Sequence, residues 1–261
     1  MIPAIIPPLT SLTVLVTRPA PQAETLAGRI RALGGVAQVL PAIEIQPVVA
    51  APAATHYQLV IFVSVNAVEH GANLIRKTAD MRIAAIGKAT ANALAAKDLP
   101  ADIVPERGFD SESLLSHPDL ALPPGASILI VRGSGGRELM RDTFTARGFS
   151  VDLLDVYERV LPTLDAARRQ QIETLWSGGE IDLVTATSVA TLRNLSALLT
   201  DQGRECLAVT PLVVASRRIG EAAAAMGLRG ECVVAAAADD DSMLGAMAAW
   251  HARARTAILA P

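Results

Sequence analysis

Short apolar runs alternate with longer amphipathic stretches along nearly the whole chain. Leu12–Val16 has the continuous apolar character of a strand buried on both faces of a parallel sheet. Thr17-Arg18-Pro19 closes it, and residues 20–33 then place Leu26, Ile30 and Leu33 on one helical face before a Gly34-Gly35 stop. Val36–Leu40 is a second apolar run, so the chain opens with a strand–helix–strand unit. The alternation continues with strands at 59–63, 83–86, 103–104, 128–131, 151–154, 183–186, 212–215 and 232–235. Between them the spacing predicts helices over 66–77, 89–96, 111–115, 135–147, 165–176, 189–199, 219–226 and 242–250. Ser111 is placed to cap its helix. Asp239, Asp240 and Asp241 precede the last helix, where carboxylates complement the dipole. The pattern predicts an α/β fold with parallel sheets flanked by helices.

The two halves of the pattern resemble each other. Arg18 and Gly34 match Arg132 and Gly148 at one offset, 132 − 18 = 148 − 34 = 114. Gln58–Ser64 parallels Asp182–Ser188, and Ile83–Leu94 parallels Leu212–Ala223. Either the halves are similar domains, or this is the likeness any two α/β units share. Proline-marked extended segments at 42–48 and 155–162 suggest where the halves join. Residues 1–41 with 163–261 are then one discontinuous domain, 49–154 the second, and the two segments a two-stranded linker.

With 261 residues, 51% of them hydrophobic, the chain can build two cores. Aromatic residues are only 3% and the net charge is −3, which speaks against a nucleic-acid partner and makes any anion site local. Cys206 and Cys232 lack metal-ligand spacing and read as buried, reduced thiols. The four scattered histidines exclude the usual zinc motifs, so no metal is expected. No Lys or Arg precedes Arg18, and Pro3, Pro7 and Pro8 would break a signal helix. The uncharged stretch 45–68 is interrupted by Pro47, Pro52 and polar residues, so no membrane span is expected and the cytoplasm is the default location.

Candidate chemistry gathers where strands end and helices begin, the place at which open α/β sheets bind ligands and free N–H groups attract anions. These corners are Thr17-Arg18, Ser64 to Asn66, Gly87-Lys88-Ala89-Thr90, Arg132-Gly133-Ser134-Gly135-Gly136-Arg137, Thr187-Ser188 and Ser216-Arg217-Arg218. In the glycine-rich loop, glycines allow close backbone approach and two arginines could receive carboxylates or phosphates. A simple turn with a solvated Arg137 fits the same residues. The loop matches neither the Walker pattern nor GxGxxG. Ser64 and Ser188 suit helix N-caps as well as ligand hydroxyls, and neither lies in GxSxG. Thr90 could bond its own backbone, and Lys88 suits a solvated charge. Tyr157 is one of two tyrosines and lies in a polar segment; its phenol could move a proton or bond backbone across the linker. Glu44 and Glu158 hold matching places, as paired carboxylates or as surface charges.

In order and spacing these segments resemble the uroporphyrinogen-III synthase family. The resemblance is carried by Val16-Thr-Arg-Pro19 with Gln22, Ile61-Phe-Val-Ser-Val-Asn-Ala-Val68 and Ala85-Ile-Gly-Lys-Ala-Thr-Ala91. It continues in Asp110-Ser-Glu-Ser-Leu-Leu115, Leu129 to Leu139, Val156-Tyr-Glu-Arg159 and Ala215-Ser-Arg-Arg-Ile219. It implies two α/β domains joined by a two-stranded linker, with the active site between them. It implies cyclisation of hydroxymethylbilane to uroporphyrinogen III, with ring D inverted, water lost and no cofactor. The route runs through an azafulvene and a spirocyclic intermediate, in a monomer serving haem, sirohaem and cobalamin biosynthesis. Tyr157 and Thr90 correspond to the family's catalytic positions. Arg18, Ser64, Gly87, Lys88, Ala89, Arg132, Gly133, Ser134, Arg137, Thr187, Ser188, Ser216 and Arg218 would bind the eight substrate carboxylates. One segment departs from the family pattern: Ser216 to Ile219 lacks the family's threonine, so Arg217 or Arg218 would pair a carboxylate there. The alternative is a non-catalytic protein that clamps a polyanionic small molecule.

Overall fold

The computed structural model describes residues 8–51, 56–106, 110–136 and 138–259. In chain order the elements begin β1 (Thr13–Val16), α1 (Ala20–Ala32), β2 (Val36–Val39), β3 (Glu44–Pro47), β4 (Leu59–Phe62) and α2 (Val65–Gly71). Next come β5 (Arg82–Ala85), α3 (Lys88–Ala95), α4 (Ser111–Leu115), β6 (Ser127–Gly133), α5 (Leu139–Ala146) and β7 (Ser150–Val160). The chain continues through α6 (Ala166–Ser177), β8 (Leu183–Ala186), α7 (Val189–Leu198) and α8 (Asp201–Val209). It ends with β9 (Leu212–Val214), α9 (Arg217–Ala225), β10 (Cys232–Val234) and α10 (Asp240–Leu259). Contacts divide the chain into two compact units, Met1–Glu44 with Val160–Pro261, and Ile45–Arg159.

The first unit holds a five-stranded sheet in the order β10-β9-β8-β1-β2, with every neighbouring pair parallel. Its strands are apolar on both faces because helices cover both, so alternate residues serve two separate cores. Leu15, Val184, Ala186, Leu212 and Val214 pack against α6, α7, α8 and α9. Val14, Val16, Leu183 and Val213 face the other way, against α1 and α10. In the unit's own chain order the sheet runs 2-1-3-4-5, a doubly wound arrangement whose winding reverses between β1 and β8.

The second unit has the order β3-β7-β6-β4-β5, extended by a parallel bridge from Ala84 to Ile103. Val60, Phe62, Ile83, Leu129 and Val131 pack against α2 and α3. Leu59, Ile61, Ile128 and Ile130 pack against α4 and α5. With β6, β7, β4, β5 and Ile103 set beside β1, β2, β8, β9 and β10, the order is again 2-1-3-4-5. The chain enters it at the third strand, so the second unit is a circularly permuted copy of the first, and its winding reverses between β6 and β4. The two parallel-dominated α/β sheets expected from the sequence are therefore present, and the repeat in the sequence is a repeat in topology.

Several boundaries differ. β7 is one eleven-residue strand, so the polar segment after Leu154 continues the sheet, and β3 lies beside it at the edge. The helix expected from Gly135 begins only at Leu139, because Gly135 turns the backbone at φ 69° and β6 extends to Gly133. Asp110, not Ser111, caps α4, accepting from Ser113 N–H. The helix after Ser64 is α-helical only to Gly71, with one further tight turn at Ala72–Leu74. α8 was not expected; it buries only Gly203 and Leu207, too few positions to show a helical period. Cys232 is exposed and Cys206 half-buried, correcting the expectation of two buried thiols; Cys232 lies on the edge strand β10, which has a neighbour on one side only. Among the described residues no helix is long and apolar enough to cross a membrane.

Candidate active site

The winding reversal in the second unit brings the C-terminal ends of β6 and β4 together, and a cavity of about 270 Å³ opens there. Val63, Ser111, Arg132, Gly133, Tyr157 and Arg159 are among the residues that line it, with Asp110 and Arg141 at its polar side. This volume is at the small end for a ligand pocket, so it suits one part of a larger molecule.

Tyr157 is the largest fully buried side chain of the described residues, 1% exposed. Its hydroxyl lies 3.1 Å from Ser64 Oγ and accepts a hydrogen bond from Arg159 Nη2 at 2.8 Å. The Arg159 guanidinium carbon is 5.2 Å from the ring centroid, and the His70 ring is 6.1 Å away on the α2 side. The ring lies against Gly133: a Cβ there would come within 2.5 Å of Tyr157 Cε2 and Cζ. The β6–β7 register shifts between Arg132 and Gly133, pairing Gly133 with Tyr157, and Ser134 N–H donates to the Tyr157 carbonyl at 2.8 Å. Glycine at 133 is thus what allows the phenol to close over the end of β6.

Arg132 is 8% exposed and already bound: Nε donates to Asp155 Oδ1 at 2.9 Å and Nη1 to Glu138 Oε1 at 3.0 Å. Burial opposes its charge, but hydrogen bonds and charge from Asp155 and Glu138 outweigh burial and push its pKa above the usual value. Arg141 pairs with Glu138 at 2.9 Å and with Asp142. The repeat-related Arg18 in the first unit is 7% exposed and likewise engaged, by Asp240 and the Ala238 carbonyl, while its Nε has no partner among the described residues. Both arginines matched in the sequence repeat therefore sit at winding reversals with carboxylates of their own chain.

The other sequence candidates occupy helix starts. Ser64 caps α2 by accepting from Ala67 N–H at 3.0 Å, and Ser188 caps α7 by accepting from Thr191 N–H at 3.0 Å. Both are caps, and Ser64 alone of the two also reaches the phenol. Gly87 precedes α3, whose first turn exposes Lys88 and Ala89 and buries Thr90 at 3% exposure. Ser134 and Thr187 are half-buried. Ser216 stands at the start of α9 without a side-chain cap bond, and Arg217 and Arg218 are exposed. Arg137 lies outside the described residues.

Sequence reasoning missed Arg159, Asp155 and Glu138. The signal was present for Arg159: residues at i and i+2 share one face of a strand, so Tyr157 and Arg159 of β7 line up, whereas the register shift before Tyr157 breaks the alternation that would have carried it to Asp155. Reading 155–162 as a linker hid that periodicity. Glu138 reaches Arg132 across the glycine turn, a contact that sequence spacing does not reveal.

Two doubly wound units, one carrying a buried phenol and arginines beside a cavity at its winding reversal, define a two-unit α/β protein. The family profile described as Uroporphyrinogen-III synthase HemD matches residues 24–245. The chain is 34% identical over 250 residues to the uroporphyrinogen-III synthase of Escherichia coli, covering 90% of this chain and 100% of that protein. It is 34% identical over 258 residues to that of Salmonella typhimurium, again covering 90% and 100%. The uroporphyrinogen-III synthetase of Helicobacter pylori superposes with a TM-score of 0.58 at 13% identity, over 89% of this chain and 96% of that one. A mutant uroporphyrinogen III synthase from Thermus thermophilus gives 0.55 at 18%, over 94% and 99%. These two likenesses are of fold. The chain belongs to the uroporphyrinogen-III synthase family.

Proposed function

We propose that this chain cyclises hydroxymethylbilane to uroporphyrinogen III, inverting ring D and releasing water, as a step in tetrapyrrole biosynthesis that needs no cofactor. Family membership supports the reaction. The observation that carries its chemistry is the Tyr157 phenol, buried at the wall of the cavity with Ser64 and Arg159 at its oxygen.

The hydroxymethyl-bearing end of the bilane enters this cavity, where Tyr157 acts as general acid. Its proton passes to the departing hydroxyl as the C–O bond breaks, and water leaves. The pyrrole nitrogen supplies the electrons that fill the vacated position, giving a protonated azafulvene. The substituted carbon of ring D attacks it, and fragmentation and reclosure follow. The proton released when the last ring recovers its aromaticity restores the phenol, so the acid is regenerated. The bilane also closes unaided without inversion, so the remaining task is to hold the productive conformer. The helix starts at Ser64, Gly87, Ser188 and Ser216, with Lys88, Ala89, Thr90, Thr187 and Arg218 beside them, offer N–H groups, hydroxyls and charge to the carboxylates.

The test incubates hydroxymethylbilane with the protein and separates the oxidised products by isomer. Type III product above the uncatalysed rate is expected. Type I alone, at the uncatalysed rate, overturns the reading, and saturable binding without turnover makes the chain a binding protein.

A further inference from the structure

An acid that must lose its proton in one step and regain it in another needs groups that aim the proton and receive the charge left behind. We propose that Arg159 is a positioning residue for Tyr157, with Ser64 as second donor: the pair turns the phenol proton into the cavity and holds the phenolate once the proton has gone. This rests on Tyr157 acting as the acid.

The donor directions follow from the inventory of hydrogens. A guanidinium has no acceptor, so the 2.8 Å contact from Arg159 Nη2 must be donated to the phenol oxygen. Ser64 Oγ already accepts from Ala67 N–H at 3.0 Å, which leaves its own hydrogen free to turn. At 3.1 Å the Ser64–Tyr157 contact can therefore run either way. Before a leaving hydroxyl arrives, the phenol can donate to Ser64. When a leaving hydroxyl arrives, Ser64 turns to donate, the phenol oxygen accepts from both Ser64 and Arg159, and its own O–H is released toward the cavity that Tyr157 lines. After transfer the phenolate keeps both donors, one of them cationic, and such charge-assisted bonds are the stronger kind. The two donors thus meet the negative charge that develops on the oxygen as the proton leaves.

The arginines of the cavity are not equivalent in this respect. Arg132 is bound by Asp155 and Glu138, and Arg141 by Glu138 and Asp142. Arg159 instead gives a hydrogen bond to the phenol and lies near its ring. Among the described residues, the titratable groups around the phenol are Arg159 on its own strand, His70 on α2, and Asp110, Arg132 and Arg141, which share the cavity wall. Among these, Arg159 is the one in hydrogen-bond contact with the oxygen.

A double-mutant cycle tests the proposal. Arg159→Met should lower kcat for type III formation about ten- to a hundredfold, the usual worth of one charged hydrogen bond, with a smaller change in KM. Arg159→Lys, which can still donate, should recover part of the loss. In a Tyr157→Phe background Arg159→Met should cost little more, because its target is gone. An equal loss in both backgrounds, or a loss confined to KM, would show that Arg159 binds a substrate carboxylate directly and overturns the proposal. So would an Arg159→Met enzyme of unchanged kcat. Wild-type protein yielding no type III isomer would instead remove the reaction itself, and Tyr157→Phe of unchanged turnover would remove the acid, so each failure is told apart from the others.

Discussion

Replacing Gly133 by Ala adds one methyl group at the place where the phenol closes over β6. The backbone itself tolerates the change, since Gly133 is not among the glycines of positive φ. Any effect therefore comes from the contact. The new Cβ would lie 2.5 Å from Tyr157 Cε2 and Cζ and 3.0 Å from its hydroxyl. Ordinary carbon contacts are about 3.5–4.0 Å, so the ring would have to move by about 1 Å. It has little room: Tyr157 is 1% exposed and shares a core with Phe62, Val131 and Val156. Overpacking of this kind costs roughly 1–3 kcal/mol, which for a chain of this size lowers Tm by about 2–12 °C. A 1 Å displacement also separates the hydroxyl from Ser64 and Arg159, and misplacement on that scale costs on the order of a hundredfold in rate. Thermal unfolding and isomer-resolved turnover measure the two effects. Unchanged Tm together with unchanged type III formation would refute the argument, because the ring would then be free to move without consequence.

Tyr157→Phe should lower kcat at least about a hundredfold while altering KM much less, as loss of a general acid does; steady-state kinetics on the bilane separates the two. Thr210→Val should destabilise the first unit by about 1–3 kcal/mol, because Trp176 Nε1 donates to Thr210 Oγ1 at 2.7 Å within the core and would lose its acceptor; denaturant unfolding reads the difference. Burial, then the hydrogen bond and charge of Asp152, push the Tyr57 phenol up to about 12. A folded value raised above the unfolded one gives stability that is full below about pH 10 and is lost as pH rises toward 12. Unfolding curves over that range should show the decline, and Tyr57→Phe should remove most of it.

The strands of both sheets were legible because a strand covered on both faces needs an apolar residue at nearly every position. Runs such as Val14 to Val16 and Leu59 to Phe62 have few other readings. Ser64 and Ser188 could be recognised as caps for an equally local reason, since the hydroxyl meets an N–H three residues on. The glycine loop was harder. Its composition suited an anion cradle, but in the fold Gly133 makes room for a ring, and Arg132 is satisfied by Asp155, 23 residues further on.

By itself the sequence determined the α/β class, the corners where strands give way to helices, and the family likeness, and it pointed to a repeat. The elements rest on periodicity within a few residues, and the repeat and the likeness on the order of such short segments along the chain. Only the tertiary structure decided that the second unit is a permuted copy of the first, because strand order depends on which strands meet across long connections. It also decided the setting of Tyr157. The phenol's partners come from β4's end, β6 and β7, and their juxtaposition follows from the winding reversal that sets β6 beside β4.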